Sequence, residues 1–150
     1  MAQPLPLARL LSAATQVAVR RLNTTLAERG YLDLRPADGY ALLALGEEGA
    51  TASQLGARLG VTKQAAAKIA VRLERAGYLA RAGHPHDGRA QLLRRTGRGD
   101  VLLRDAAEVQ REIERDWART IGKAQAAELR GALEAVLRDT GEEQQLTRLW

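Results

Sequence analysis

Apolar residues recur at steps of three and four from the start of the chain. Leu7, Leu10, Leu11, Ala14, Val17, Ala18, Leu22 and Leu26 predict a helix over 7 to about 29, closed by Gly30. Pro4 and Pro6 oppose helix before it. Pro36 suits the first turn of a second helix holding Tyr40, Leu42, Leu43 and Leu45, which Gly46 to Gly49 end. Thr51 and Gln54 form a capping box for a short helix with Leu55 and Leu59 on one face, stopped at Gly60. Val61 is expected to fill the gap to the next helix, which Thr62 caps and which runs to about Ala76. There Ala66, Ile69, Ala70 and Leu73 line a buried face, and Lys63, Gln64, Ala67 and Lys68 fall opposite. Tyr78 to Arg81 and Ala90 to Arg94 read as two short strands around the turn-forming run Gly83 to Arg89. Thr96 caps a long helix to Ile121 with Leu102, Ala106, Val109, Ile113, Trp117 and Ile121 as its stripe. After Gly122 a last helix, about 124 to 137, carries Leu129, Leu133, Val136 and Leu137. A polar tail ends in Leu146, Leu149 and Trp150.

The predicted fold class is mainly α with a small β-hairpin. Two short helices joined at a glycine turn match a helix-turn-helix, whose second helix enters a major groove, and the hairpin after it reads as a wing. Charge strengthens this picture. The stretch 51–99 holds ten Arg or Lys against Glu74 and Asp87, a net +8, whereas the rest of the chain carries 13 basic and 16 acidic residues. The overall +5 therefore comes from one basic module in a mildly acidic frame, which points to a polyanion. The candidate DNA contacts are Ser53, Gln54, Thr62, Lys63, Gln64, Ala67, Lys68, Arg72, Arg89 and Arg94. Gln can pair with adenine and Lys with guanine, although Lys can also serve only to neutralise phosphate. Arg89, near the wing tip, is placed to enter a minor groove. Asp87 either orients Arg89 or simply forms the turn.

These residues resemble the MarR family of winged-helix transcriptional regulators. The resemblance rests on Val61-Thr62-Lys63-Gln64, Arg72-Leu73-Glu74 with Gly77, Asp87-Gly88-Arg89-Ala90, and Thr96-Gly97-Arg98-Gly99, in that order and spacing. It departs at Ala65-Ala66-Ala67, where the family often has a hydroxyl residue and a larger apolar one. It implies a single unit over 1–150, with a winged head at 36–99 and a helical dimerisation region at 7–30 and 100–150. It also implies a small-molecule pocket between the two, for which Asn23, Tyr31, Tyr40 and Trp117 are candidate liners. The apolar stripes on the first, long and last helices suit an intertwined homodimer that a 50-residue head could not cover.

Other chemistry is not announced. His84 and His86 have only Asp87 beside them, too few ligands for zinc. No Ser-His-Asp set, P-loop, GxGxxG or HExxH occurs, so neither an enzyme nor a cofactor is expected. The chain has no cysteine and hence no disulfide or thiol switch. It has no apolar run near the ~20 residues of a membrane span and no leader pattern, so a cytoplasmic protein is expected. Arg outnumbers Lys twenty to three, a bias that suits phosphate but that a GC-rich genome also produces. The leading reading is a dimeric, sequence-specific, ligand-responsive repressor of a pseudo-palindromic operator. The rivals are a non-specific architectural DNA binder, which the alanine run favours, and a ligand-binding dimer that has lost DNA binding.

Overall fold

The computed structural model describes residues 4–140. It contains α1 (Leu7–Glu28), α2 (Pro36–Leu45), α3 (Ala52–Leu59), α4 (Lys63–Arg75), β1 (Leu79–His84), β2 (Asp87–Arg95), α5 (Gly97–Ile121) and α6 (Lys123–Asp139). The expected mainly helical fold with one hairpin is present in the expected order. The tail residues Leu146, Leu149 and Trp150 lie outside the described residues.

The helix starts follow the capping chemistry written in the sequence. Thr51 Oγ1 accepts from the Gln54 amide at 3.2 Å, and Gln54 Oε1 accepts from the Thr51 amide at 2.9 Å. Thr62 Oγ1 accepts from the Ala65 amide at 3.1 Å to open α4. Thr96 Oγ1 accepts from the Gly99 amide and donates to the Gly77 carbonyl at 2.6 Å, so one hydroxyl ties the start of α5 to the end of α4. Gly99 permits that approach, because a Cβ there would overlap the Tyr78 carbonyl.

The two strands are antiparallel and longer than their alternation predicted, with Leu79 opposite Arg95 and Ala82 opposite Leu92. The turn formers are pulled into the ladder, leaving a tip at His84 to Asp87. Ala50 adds one further rung, donating to the Leu93 carbonyl at 3.0 Å and accepting from its amide at 2.8 Å. A single bridging residue carries no alternation, so the sequence gives no sign of it. Val61 is a second departure: its side chain is 41% exposed and fills no gap between helices.

The core spans the head and the first two thirds of α5, with Leu26 of α1. Leu42, Leu45, Leu55, Leu73, Leu79, Leu93, Leu102 and Val109 are fully buried, joined by Ala66, Ala70 and Tyr78. Outside it the helical stripes run on uncovered. Only Leu26 of α1 is buried, α6 buries nothing, and Trp117 and Ile121 of α5 lie open beyond buried Ile113. Arg29 pairs with Glu108 and Glu112, and Arg21 with Asp116, which holds α1 antiparallel along α5. Among the described residues no helix is long and apolar enough to cross a membrane.

Asp38, 1% exposed, is the one charged side chain buried among the described residues. It accepts from the Arg35 amide at 2.8 Å, closing the first turn of α2, and forms an ion pair with Arg72 of α4. Asp38→Ala should therefore cost about 3 kcal/mol of stability in urea unfolding, because it strands a largely covered guanidinium. Adding Arg72→Met should recover part of the loss. Additive losses would show that the two side chains are not coupled.

Candidate nucleic-acid interface

The side chains on α4 sort by the helix's turn of 100° per residue. Ala66, Ala70 and Leu73 are buried and Ile69 half-buried on the core side. Gln64, Lys68, Val71 and Arg75 lie on the opposite side, and all four are exposed. Lys63 is exposed at the first turn, and Ala67 is half-buried at the border of the outward face. The helix is seated tightly on α3. A Cβ at Gly56 would stand 2.9 Å from the Val61 carbonyl oxygen, 3.2 Å from that of Thr62 and 3.3 Å from the Lys63 amide nitrogen. All three are backbone atoms and cannot swing aside.

Of the ten cations in the basic module, five are occupied within the fold. Arg72 pairs with Asp38, Arg81 with Glu74 at 2.9 Å, and Arg95 with Asp100 at 2.8 Å. Arg58 donates to the Ala44 carbonyl at 2.7 Å at the end of α2. Arg98 lies over the Tyr78 ring at 4.9 Å, and a hydrogen bond to the Tyr78 hydroxyl raises its pKa further. The other five, Lys63, Lys68, Arg75, Arg89 and Arg94, make no ion pair or side-chain hydrogen bond among the described residues. The first three lie on α4 and the last two on the wing.

The expected contact set changes accordingly. Arg72 leaves it, because its guanidinium turns inward to Asp38 rather than out to a phosphate. Arg75 enters it. It was legible from spacing alone, at eleven residues beyond Gln64 on the same face. Ser53 is exposed on α3, and Gln54 is exposed with its Oε1 engaged in the cap. Thr62 is exposed but its Oγ1 serves α4. Asp87 Oδ1 accepts from the Arg89 backbone amide at 3.0 Å, so Asp87 shapes the turn and the Arg89 guanidinium stays free of it.

The four expected pocket liners are not gathered into one site. Tyr31 donates to Asp105 at 2.6 Å and its ring stands 6.3 Å from that of Tyr78. Trp117 is twelve residues further along α5, about 18 Å away at 1.5 Å per residue. Asn23 is half-buried on α1, and Tyr40 is exposed on α2. A groove opens elsewhere, between α5 and α6, lined by Arg111, Glu114, Arg115, Ala118, Ala126, Ala127 and Arg130. Among the described residues no three metal-binding side chains cluster.

Residues 32–90 match the MarR family model. Over those 59 residues, well under half of its length, the chain is similar to the MarR family. Its whole described fold follows solved structures of that family. The reduced form of MarR from E. coli superposes with a TM-score of 0.78 at 24% identity, over 91% of this chain and 99% of that one. A cysteine-to-serine mutant of MarR from E. coli, complexed with operator DNA, gives 0.70 at 24% identity over 89% and 94%. A MarR family protein of Mycobacterium tuberculosis, in complex with salicylic acid, gives 0.65 at 25% identity over 91% and 99%. No curated protein matches the chain in sequence.

Two outcomes follow from this geometry. Gly56→Ala forces the α3–α4 turn apart and should cost about 1–3 kcal/mol. It should also weaken DNA binding beyond what the unfolded fraction explains, as read by titrating a duplex well below the melting temperature. The second concerns the junction of head and helices. The hydrogen bond to Asp105 pushes the Tyr31 phenol up to about 12, above its value near 10 in the unfolded chain. A raised pKa stabilises fully below about pH 10 and is lost as the pH climbs through about 12. Urea midpoints should fall across that window, and Tyr31→Phe should flatten the fall. An identical pH dependence in the variant would exclude Tyr31 as its source.

Proposed function

We propose that this chain is a sequence-specific DNA-binding transcriptional regulator that acts as a homodimer and releases its operator on binding a small molecule. The observation that carries the reading is the confinement of the five unpaired cations of the module to α4 and the wing, with Lys68 and Arg75 on the outward face of α4 and Lys63 at its first turn. A charged surface evolved only for solubility has no reason to leave those five free while engaging the other five internally.

The dimer rests on the open stripes of α1, α5 and α6. Leu7, Leu10, Val17, Trp117, Ile121, Leu129 and Val136 are 36–68% exposed, on three helices that a second copy would cover. Two heads then meet successive major grooves about one turn, ~34 Å, apart. The operator complex of MarR from E. coli supports the DNA partner, and the salicylic acid complex supports a small effector. We place that effector at the junction where Tyr31, Asp105, Tyr78 and Arg98 meet. Repression rather than activation follows the naming of the Multiple Antibiotic Resistance Repressor, which shares the fold at 25% identity.

Non-specific architectural binding is the second reading, on the strength of Ala65-Ala66-Ala67. The position of these residues weakens it. Ala66 is core and Ala65 is half-buried, so only Ala67 borders the outward face.

Selection from random duplex DNA should enrich an inverted repeat, and sedimentation at micromolar concentration should give about twice the 16.3 kDa chain mass. Arg75→Ala and Arg89→Ala should each lower the salt slope by about 1–2 per dimer, at near 0.9 per phosphate and two subunits. Arg81→Gln, whose charge Glu74 already balances, should lower it less. Uniform binding to all duplexes would favour the architectural reading, and no binding would sink both.

A further inference from the structure

We infer that Val71, with Ala67 beside it, reads the C5-methyl groups of thymines, so that the half-site holds T·A pairs beneath the middle of α4. The inference rests on the DNA-binding reading above and specifies what the outward face recognises.

Val71 is 37% exposed on the face that carries Gln64, Lys68 and Arg75. A β-branched residue there lowers helix propensity relative to alanine and gains little from packing within the chain. Its position is therefore not explained by folding. Its surroundings define what could cover it. Lys68, three residues before it, and Arg75, four after it, flank it with two cations. The one acid of α4, Glu74, is turned to Arg81 and neutralised there. Two small apolar side chains are far less than the several hundred Å² of a protein-binding patch, whereas a polyanion with an apolar group in its groove fits both features. The thymine methyl is the apolar group that unmodified base pairs present in the major groove, and aliphatic side chains recognise it by contact. Ala67 and Val71 are four residues apart and so neighbours on the helix surface, about 6 Å apart, which spans one to two base-pair steps of ~3.4 Å. Gln64, two turns before Val71, offers an amide for adenine on the same face. The outward face thus reads as an A·T-selective surface with cations along its sides.

The test uses the full chain and the site enriched from random duplexes. Each thymine of the half-sites is replaced singly by deoxyuridine, which lacks only the methyl group. One or two positions per half-site should lose about threefold to fivefold in affinity, the scale of one buried methyl group. In Val71→Ala the loss at one of those positions should shrink toward none, since the side chain that met the methyl is gone. The variant's melting temperature should not fall, because alanine is the better helix former, so a folding defect can be told apart. Deoxyuridine without effect at every position overturns the methyl reading and leaves sequence-specific binding standing. A deoxyuridine penalty that Val71→Ala leaves unchanged at every position overturns it as well. A selection that enriches no motif removes the DNA-reading function and this inference together.

Discussion

The outward face of α4 exists because its inner face is held at three places, and the decisive one is the pair between Asp38 and Arg72. A carboxylate 1% exposed needs a partner, and Asp38 has two: the Arg35 amide at the start of α2 and the guanidinium from the third turn of α4. That pair fixes the rotation of α4 about its own axis, because a helix that turned by even one residue would carry Arg72 100° away. Gly56 fixes the depth of its N-terminus, and the Thr96 hydroxyl on the Gly77 carbonyl fixes its C-terminal end. With three anchors the helix presents Gln64, Lys68, Val71 and Arg75 outward as a rigid set. The ion pair contributes orientation more than stability, since a well-packed apolar pair of similar volume would hold the core as firmly.

The element order was legible because it is local chemistry. Thr51 with Gln54, Thr62 and Thr96 are caps whose hydrogen bonds span three residues, and the buried face of α4 follows from spacing alone. What escaped was long-range. The partner of Arg72 lies 34 residues away in α2, and nothing in a run of basic residues separates a guanidinium that turns inward from one that faces solvent. The same applies to Arg95, which reaches both Asp100 and the Leu42 carbonyl. Ten cations in one stretch read as a single patch, but the fold divides them into five that it engages internally and five that make no ion pair or side-chain hydrogen bond among the described residues. Ala50 pairing with Leu93 was likewise invisible, because one bridging residue has no period.

The four expected pocket liners stand apart within the single chain for a geometric reason. Tyr31 and Trp117 belong to opposite ends of the α1–α5 seam, and aromatic residues far apart in sequence carry no signal of where they stand along a 25-residue helix. The junction around Tyr31 is a different kind of site. It joins the α1–α2 connector, the start of β1 and the first third of α5 through the Tyr31–Asp105 hydrogen bond and the Arg98–Tyr78 stack. A ligand that competed for Asp105 or for the face of Tyr78 would act where the head is attached.

Helix α5 converts such a local change into distance. It is one unbroken helix of 25 residues, about 37 Å long at 1.5 Å per residue. Its first turn is bolted to the head at Tyr78 and Gly77, and its far end carries Trp117 and Ile121 into the uncovered stripe. In the proposed dimer that far end is held by the second copy while the near end carries the head. A tilt of α5 by 10° about that held end would then displace the head by about 6 Å over that length. Half-sites one turn apart tolerate little of that, because a shift of two base-pair steps, ~7 Å, rotates the groove by roughly 70° out of phase at 10–10.5 base pairs per turn. The length of α5, rather than any special chemistry, is thus what would make DNA affinity sensitive to small tilts of the helix that the Tyr31–Asp105 contact braces.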